Sequence, residues 1–161
     1  MVSRRQFLAA SAGLMLTGIP GGAAGGRQRI AFLGTVVRQH SHAQHFLDRL
    51  TAGQAWGGHW LEPRVEVASV YIDQFPQDGD LAHQRVNRHG LKLYPTIAEA
   101  LCLGGSTLAV DGVVIIAEHG TYPRNDKGQT RYPRYDWFKE VVKVFEASGR
   151  SVPVFNDKHL S

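Results

Sequence analysis

The 161-residue chain is 43% hydrophobic and 20% charged, the proportions of one globular domain, which sets aside disorder and collagen-like repeats and leaves no room for two full domains. Its formal charge of +4 falls to +2 without Arg4 and Arg5, which lie in a segment read below as removable; sixteen basic residues then face fourteen acidic ones. That balance is too slight for a nucleic-acid surface, which needs a basic stripe, and the single cysteine, Cys102, excludes an intrachain disulfide and a cysteine-based zinc cluster.

Residues 1–26 read as an export signal: Ser3-Arg4-Arg5-Gln6-Phe7-Leu8, an apolar stretch from Ala9 to Ile19, then a small-residue run from Gly21 to Gly26. The apolar part is short for a membrane span. Paired arginines followed by Phe-Leu are of the twin-arginine type, which carries folded proteins outward, so a periplasmic or secreted location is expected. Folding before export suits a protein that is loaded with a cofactor first.

From residue 27 onward, strand and helix patterns alternate. Ile30 to Leu33 is a continuous apolar run ending at Gly34, as expected for a strand covered on both faces. Ser41 to Thr51 places Ala43, Phe46, Leu47 and Leu50 on one helical face. Ala52 to Pro63 reads as an inserted loop before a second strand, Val65 to Ile72. Gly79 to His89 suits a short helix stopped by Gly90, and Leu91 to Leu93 a short strand. Thr96-Ile97-Ala98-Glu99 is a capping box opening a helix that runs through Leu103. Val113 to Ala117 is the clearest buried strand. Tyr135 to Ser148 carries Phe138, Val141, Val142 and Phe145 as an apolar stripe closed by Gly149, and Val152 to Phe155 is the last strand. This alternation predicts an α/β fold in three layers, an open parallel Rossmann-like sheet with helices on both faces.

In such sheets ligands sit at the carboxyl ends of the strands, which selects four segments. Gly34-Thr35-Val36-Val37 stands where a diphosphate would meet a helix N-terminus, with one glycine of the G-x-G-x-x-G fingerprint present. Asp73-Gln74 closes the second strand, where an acidic side chain accepts from ribose hydroxyls, though farther from Gly34 than the ~20 positions usual. Ala117-Glu118-His119 follows the strongest strand, with Thr121 and Tyr122 nearby. Asp157-Lys158 follows the last. His119 and Lys158 are the candidate catalytic groups, an imidazole and an amine able to orient a hydroxyl or move a proton. His40-x-His42-x-x-His45 raises a metal alternative, with Glu118 as a carboxylate that could join it in space; no metal ligand is assigned. Cys102 reads as a small buried hydrophobe, and no G-x-S-x-G elbow is present.

These residues resemble the N-terminal domain of the Gfo/Idh/MocA oxidoreductase family from about Arg29 to Ser161. The resemblance is carried by Arg29-Ile30-Ala31-Phe32-Leu33-Gly34, by Tyr94-Pro95-Thr96-Ile97-Ala98-Glu99-Ala100-Leu101 and by Asp111-Gly112-Val113-Val114-Ile115-Ile116-Ala117. Val154-Phe155-Asn156-Asp157-Lys158-His159 is similar to the strand leading into that family's Glu-Lys-Pro signature, with Asp157 in place of the glutamate and His159 in place of the proline. The resemblance implies NAD or NADP as cofactor, held by Gly34 to Val37, Asp73, Gln74, Ala117, Glu118, Asp157 and Lys158. It also implies a sugar or cyclitol hydroxyl as substrate, with Lys158 at the signature lysine.

The expected organisation is a signal at 1–26 and a nucleotide-binding domain at 27–161 that lacks the family's substrate domain, and so does not turn over alone. The expected partners are a nicotinamide dinucleotide, a small carbohydrate and the export machinery, with self-association left open and nucleic acid excluded. The competing reading is a non-enzymatic periplasmic module on the same scaffold that binds a carbohydrate or a protein partner, drawing on the aromatic and basic stretch Tyr122 to Trp137. A metal-dependent hydrolase ranks third.

Overall fold

The computed structural model describes residues 26–160, so the export-signal reading falls, apart from Gly26, outside the described residues. In chain order the elements are β1 (Gln28–Gly34), α1 (His42–Ala52), β2 (Gln54–Trp56), β3 (His59–Leu61), β4 (Val65–Ile72), α2 (Ala82–His89), α3 (Ile97–Cys102), β5 (Gly112–Ile116), α4 (Arg134–Ser148) and β6 (Val154–Asn156). Four strands form one sheet in the order β4-β1-β5-β6, every pairing parallel.

The apolar run of β1 is continuous because both faces of the sheet are covered. Ala31 and Leu33 pack with Val113 and Ile115 against α3 and α4, through Leu101, Trp137, Val141 and Val144. Ile30 and Phe32 turn the other way, onto Val67, Val70 and Ile72 with Ala43 and Leu47 of α1 and Ala82 of α2. Phe32, Leu33, Leu47, Leu101 and Ile115 are fully buried, each worth about 1.5–3 kcal/mol of burial relative to exposure. The fold is therefore α/β, a parallel sheet between two helical layers, and compatible with a Rossmann-like architecture. Among the described residues no helix is long and apolar enough to cross a membrane.

Local chemistry explains the boundaries. Ser41 caps α1, its hydroxyl accepting from Gln44 N at 3.1 Å. Thr96 caps α3 by accepting from Glu99 N at 3.1 Å, but the Glu99 carboxylate accepts from the Thr96 hydroxyl instead of reaching back to its backbone N–H. Gly90 and Gly149 end α2 and α4 in the left-handed conformation.

Four expectations need correction. Ala52–Pro63 is not a plain loop: β2 and β3 pair as an antiparallel hairpin, and Gly57 and Gly58, both at positive φ (56° and 79°), make its two-residue turn. The helix expected from Gly79 starts at Ala82, because Asp80 takes the N–H groups of Ala82 and His83 on its carboxylate. Leu91–Leu93 is one parallel bridge between Leu93 and Val70 and not a strand, fixed by hydrogen bonds from Val70 N to Lys92 O and from Tyr94 N to Val70 O. The buried face of α4 is Trp137, Val141 and Val144, with Phe138 and Phe145 only at its margin, since α4 meets α3 and the sheet along that line.

Candidate functional site

The chain leaves β1 toward one face of the sheet and β5 toward the other, so strand order reverses between these two neighbours and a crevice opens above their carboxyl ends. All four segments singled out in the sequence reach this edge. Backbone hydrogen bonds hold them there: Asp73 N donates to Gly34 O at 3.0 Å, Gln74 N to Thr35 O at 2.9 Å and Asp157 N to Ile115 O at 3.1 Å. Thr35, wholly buried, donates its hydroxyl to Glu118 O at 2.5 Å and so ties the loop after β1 to the loop after β5. Arg134, at the start of α4, donates to Ala117 O at 3.0 Å.

Above this edge the residues separate into distinct groups. The first joins His42, at the opening of α1, to Glu118, Asp157 and Lys158. Lys158 Nζ lies 2.9 Å from Asp157 Oδ2, 3.4 Å from Glu118 Oε2 and 3.1 Å from His42 Nδ1. His42 Nδ1 in turn lies 2.8 Å from Asp157 Oδ2 and 2.9 Å from Glu118 Oε2. A lysine ammonium only donates, so Nδ1 must be bare to take its hydrogen, whereas facing a carboxylate requires Nδ1 to carry one. The same heavy-atom positions thus serve either placement of the proton on the His42 ring, on Nδ1 or on Nε2. Burial pushes the Asp157 carboxyl up, but hydrogen bonds from Lys158 and His42 outweigh it and hold it below its usual range. The hydrogen bond to Asp157 holds Lys158 charged beyond the usual lysine range, against a smaller opposing effect of burial. Glu118 Oε2 is buried with no hydrogen bond of acceptable direction, so its short approaches to His42 and Lys158 are electrostatic contacts.

The ligand atoms of His42, Glu118 and Asp157 lie within 4.8 Å of one another, an imidazole and two carboxylates suited to a divalent ion. The Lys158 ammonium, close to all three residues, supplies the positive charge there. The histidine trio of the sequence reading does not assemble: the His40 and His45 rings stand 6.5 Å apart, while His42 turns to the carboxylates.

The second group surrounds Asp73, whose two oxygens accept from Tyr71 at 2.8 Å and Tyr122 at 2.6 Å. Burial first, then the bond to Asp73, pushes both phenols above the usual tyrosine range. Beside it a hollow of about 470 Å³ is lined by Tyr71, Ile72, Asp73, Phe75, Leu93, Tyr94 and Pro95. Gln74 instead clasps the loop after β5, donating to Thr121 O at 3.1 Å and accepting from Thr121 N at 2.9 Å. His119, proposed from sequence as a catalytic partner of Lys158, turns to Arg38 at 3.1 Å.

The residues that the resemblance assigns to a dinucleotide leave no room for its diphosphate, and both oxygens of Asp73, the ribose-side candidate, are taken by Tyr71 and Tyr122. Val37 is wholly buried in the core, and Val36, 3% exposed, fills the space against Gly120. Gly34 lacks a side chain for packing: a Cβ there would stand 3.0 Å from Ile72 and 3.1 Å from Phe32. The N–H groups of Arg38, His40 and Ser41 are already taken, by Ser41 Oγ, Gln44 Oε1 and Arg38 O.

Sequence reasoning placed His42 only with its neighbouring histidines and gave no role to Arg38 or Tyr71. The Ser41 cap was the available signal for His42: a helix that follows the first strand must begin above the carboxyl edge, so its first side chain faces the ends of β5 and β6. No protein-family model matches the chain, and no curated protein and no solved structure matches it either.

Proposed function

We propose that the carboxyl edge of the sheet binds a small hydroxylated compound of the carbohydrate or cyclitol class, with Lys158 orienting one hydroxyl and His42 exchanging its proton. The observation that carries this reading is the His42–Glu118–Asp157–Lys158 cluster at the point of strand reversal. Asp157 and Glu118 keep the amine charged, so it acts as a donor to a hydroxyl oxygen and not as a base; with Nδ1–H of His42 directed to the carboxylates, its Nε2 is the proton-accepting position. Titration calorimetry with glucose, myo-inositol and glycerol tests the reading. Saturable binding that Lys158→Ala weakens at least tenfold supports it, and no binding to any polyol rejects it.

A second reading, an NAD(P)-dependent oxidoreductase of which this chain is the cofactor-binding part, is favoured by the hollow beside Asp73 and by the order Leu93 bridge-β4-β1-β5-β6, which matches the first five positions of the doubly wound order 3-2-1-4-5-6. It requires the loop Thr35–Ser41 to open for the diphosphate. Stabilisation of the protein by NAD⁺ or NADP⁺ in a melting experiment supports it; an unchanged melting temperature at millimolar dinucleotide rejects it. Export to the periplasm is part of the same proposal and is tested by fusing residues 1–26 to a reporter that requires twin-arginine transport.

A further inference from the structure

A cavity of about 440 Å³ lies between the loop after β1 and the loop after β5, lined by Val36, Arg38, Gln74, Phe75, Pro76, His119, Gly120, Thr121 and Tyr132. Its size is that of a small-molecule site, ~300–1,000 Å³. Arg38 is exposed at its mouth, and among the described residues no carboxylate lies within ion-pair distance of its guanidinium. Arg85, by contrast, is forked onto Asp48 at 2.8 and 3.1 Å.

The contact between Arg38 and His119 fixes the chemistry offered to the cavity. A guanidinium has donors only, so the His119 Nδ1 that meets it at 3.1 Å must be the acceptor, and the ring's proton sits on Nε2. The pair therefore presents N–H donors and a positive charge to the cavity. Among the described residues His119 is one of three non-glycine residues held at positive φ, 67°, and Gly120 beside it at 99° has no room for a side chain against Tyr122 and Gln74. Such a backbone costs roughly 1–3 kcal/mol and persists only where its surroundings enforce it; here the Gln74–Thr121 clasp does so. His119 directly follows Glu118, whose carboxylate belongs to the His42–Asp157–Lys158 cluster, so the cavity borders that cluster through one stretch of loop.

We infer that Arg38 and His119 bind the anionic group, carboxylate or phosphate, of an acidic sugar whose hydroxyl reaches Lys158. The inference rests on the polyol reading above and narrows its substrate class from neutral to acidic sugars. A planar guanidinium beside an imidazole N–H matches the geometry of either anion.

Calorimetry on the whole 161-residue protein tests it with four probes: gluconate, glucose 6-phosphate, glucose and myo-inositol. Gluconate or glucose 6-phosphate should bind at least tenfold more tightly than glucose, and the stronger of the two tells carboxylate from phosphate. Arg38→Gln should remove that preference, bringing the anionic probe within about threefold of glucose while glucose itself changes less than twofold. Glucose and myo-inositol binding as tightly as the anionic sugars would overturn the inference and leave the polyol reading standing. Anion preference that survives Arg38→Gln would overturn it too, and silence from all four probes would end both. Melting curves of the variant establish that it folds, and His119→Gln serves as the independent second variant, expected to lose the same preference in part.

Discussion

The two flanks of the crevice end in an acidic residue each, and they use it in opposite ways. Beside β6, Asp157 shares its space with an ammonium, an imidazole and a second carboxylate, so a proton can change owner with little movement of heavy atoms. Beside β4, Asp73 is met by two phenols whose protons are held more firmly than usual. One flank gathers groups of opposite charge and the other pairs a carboxylate with neutral donors. The difference comes from the neighbouring element: β6 faces the opening of α1, which brings His42, whereas β4 faces the aromatic loop that brings Tyr122.

Both flanks stand on β1, and the largest effect comes from removing that footing. Phe32→Ala empties a wholly buried position between β4 and α1 and should lower stability by about 3–5 kcal/mol, read by urea unfolding. Tyr122 and Lys158 should then lose their order together; a variant that unfolds only one flank would show that the two are not one cooperative unit. Thr35→Val is smaller and more selective. It leaves the half-buried Glu118 carbonyl without its 2.5 Å donor at a cost of about 1 kcal/mol, and it should weaken polyol binding at Lys158 more than it disturbs the Asp73 hollow.

The acid limb of the stability curve separates the flanks without ligand. The folded-state affinity of Asp157 for its proton is lower than in the unfolded chain, so between the two pKa values the unfolded state binds more protons and stability rises with pH. The contribution is complete above the ordinary aspartate value of 3.8 and is lost as pH falls through the depressed folded value. Lys158→Met removes the strongest influence that lowers it and leaves burial to dominate, so the contribution of Asp157 changes sign: the variant should melt lower than the parent near neutral pH and lose less melting temperature on acidification. Identical acid limbs in the two proteins would mean that Asp157 and Lys158 do not interact in solution.

Much of this architecture can be read from the residues. The apolar runs Ile30–Leu33 and Val113–Ile116 could only be strands covered on both faces, and Ser41, Thr96, Gly90 and Gly149 mark helix ends by their own hydrogen-bonding or backbone freedom. The hairpin was also legible, since Gly57-Gly58 between Trp56 and His59 is a two-residue turn signal; the three glycines and two tryptophans of that stretch masked it. The site was half visible. The rule that ligands gather at strand ends located Glu118, Asp157 and Lys158, because each follows its strand directly. The same rule is blind to direction: it could not tell that His119 would turn to Arg38, or that Val36 would close against Gly120, since both depend on how two loops distant in sequence pack together.

The smallest effect is the most useful for deciding between the readings. Tyr122→Phe removes one of the two donors to Asp73 at an exposed position and should cost only about 0.5 kcal/mol. Combined with Tyr71→Phe it leaves the Asp73 carboxylate free at the rim of the 470 Å³ hollow. If that hollow is shape alone, polyol affinity at Lys158 changes less than twofold and NAD⁺ remains without effect on melting. If the hollow is an adenosine subsite held shut by two phenols, the double variant gains NAD⁺ affinity at least tenfold, because the ribose hydroxyls take the place of the tyrosines as donors. The second outcome would move the dinucleotide reading ahead of the polyol module, and it would do so through a carboxylate that the parent protein keeps occupied.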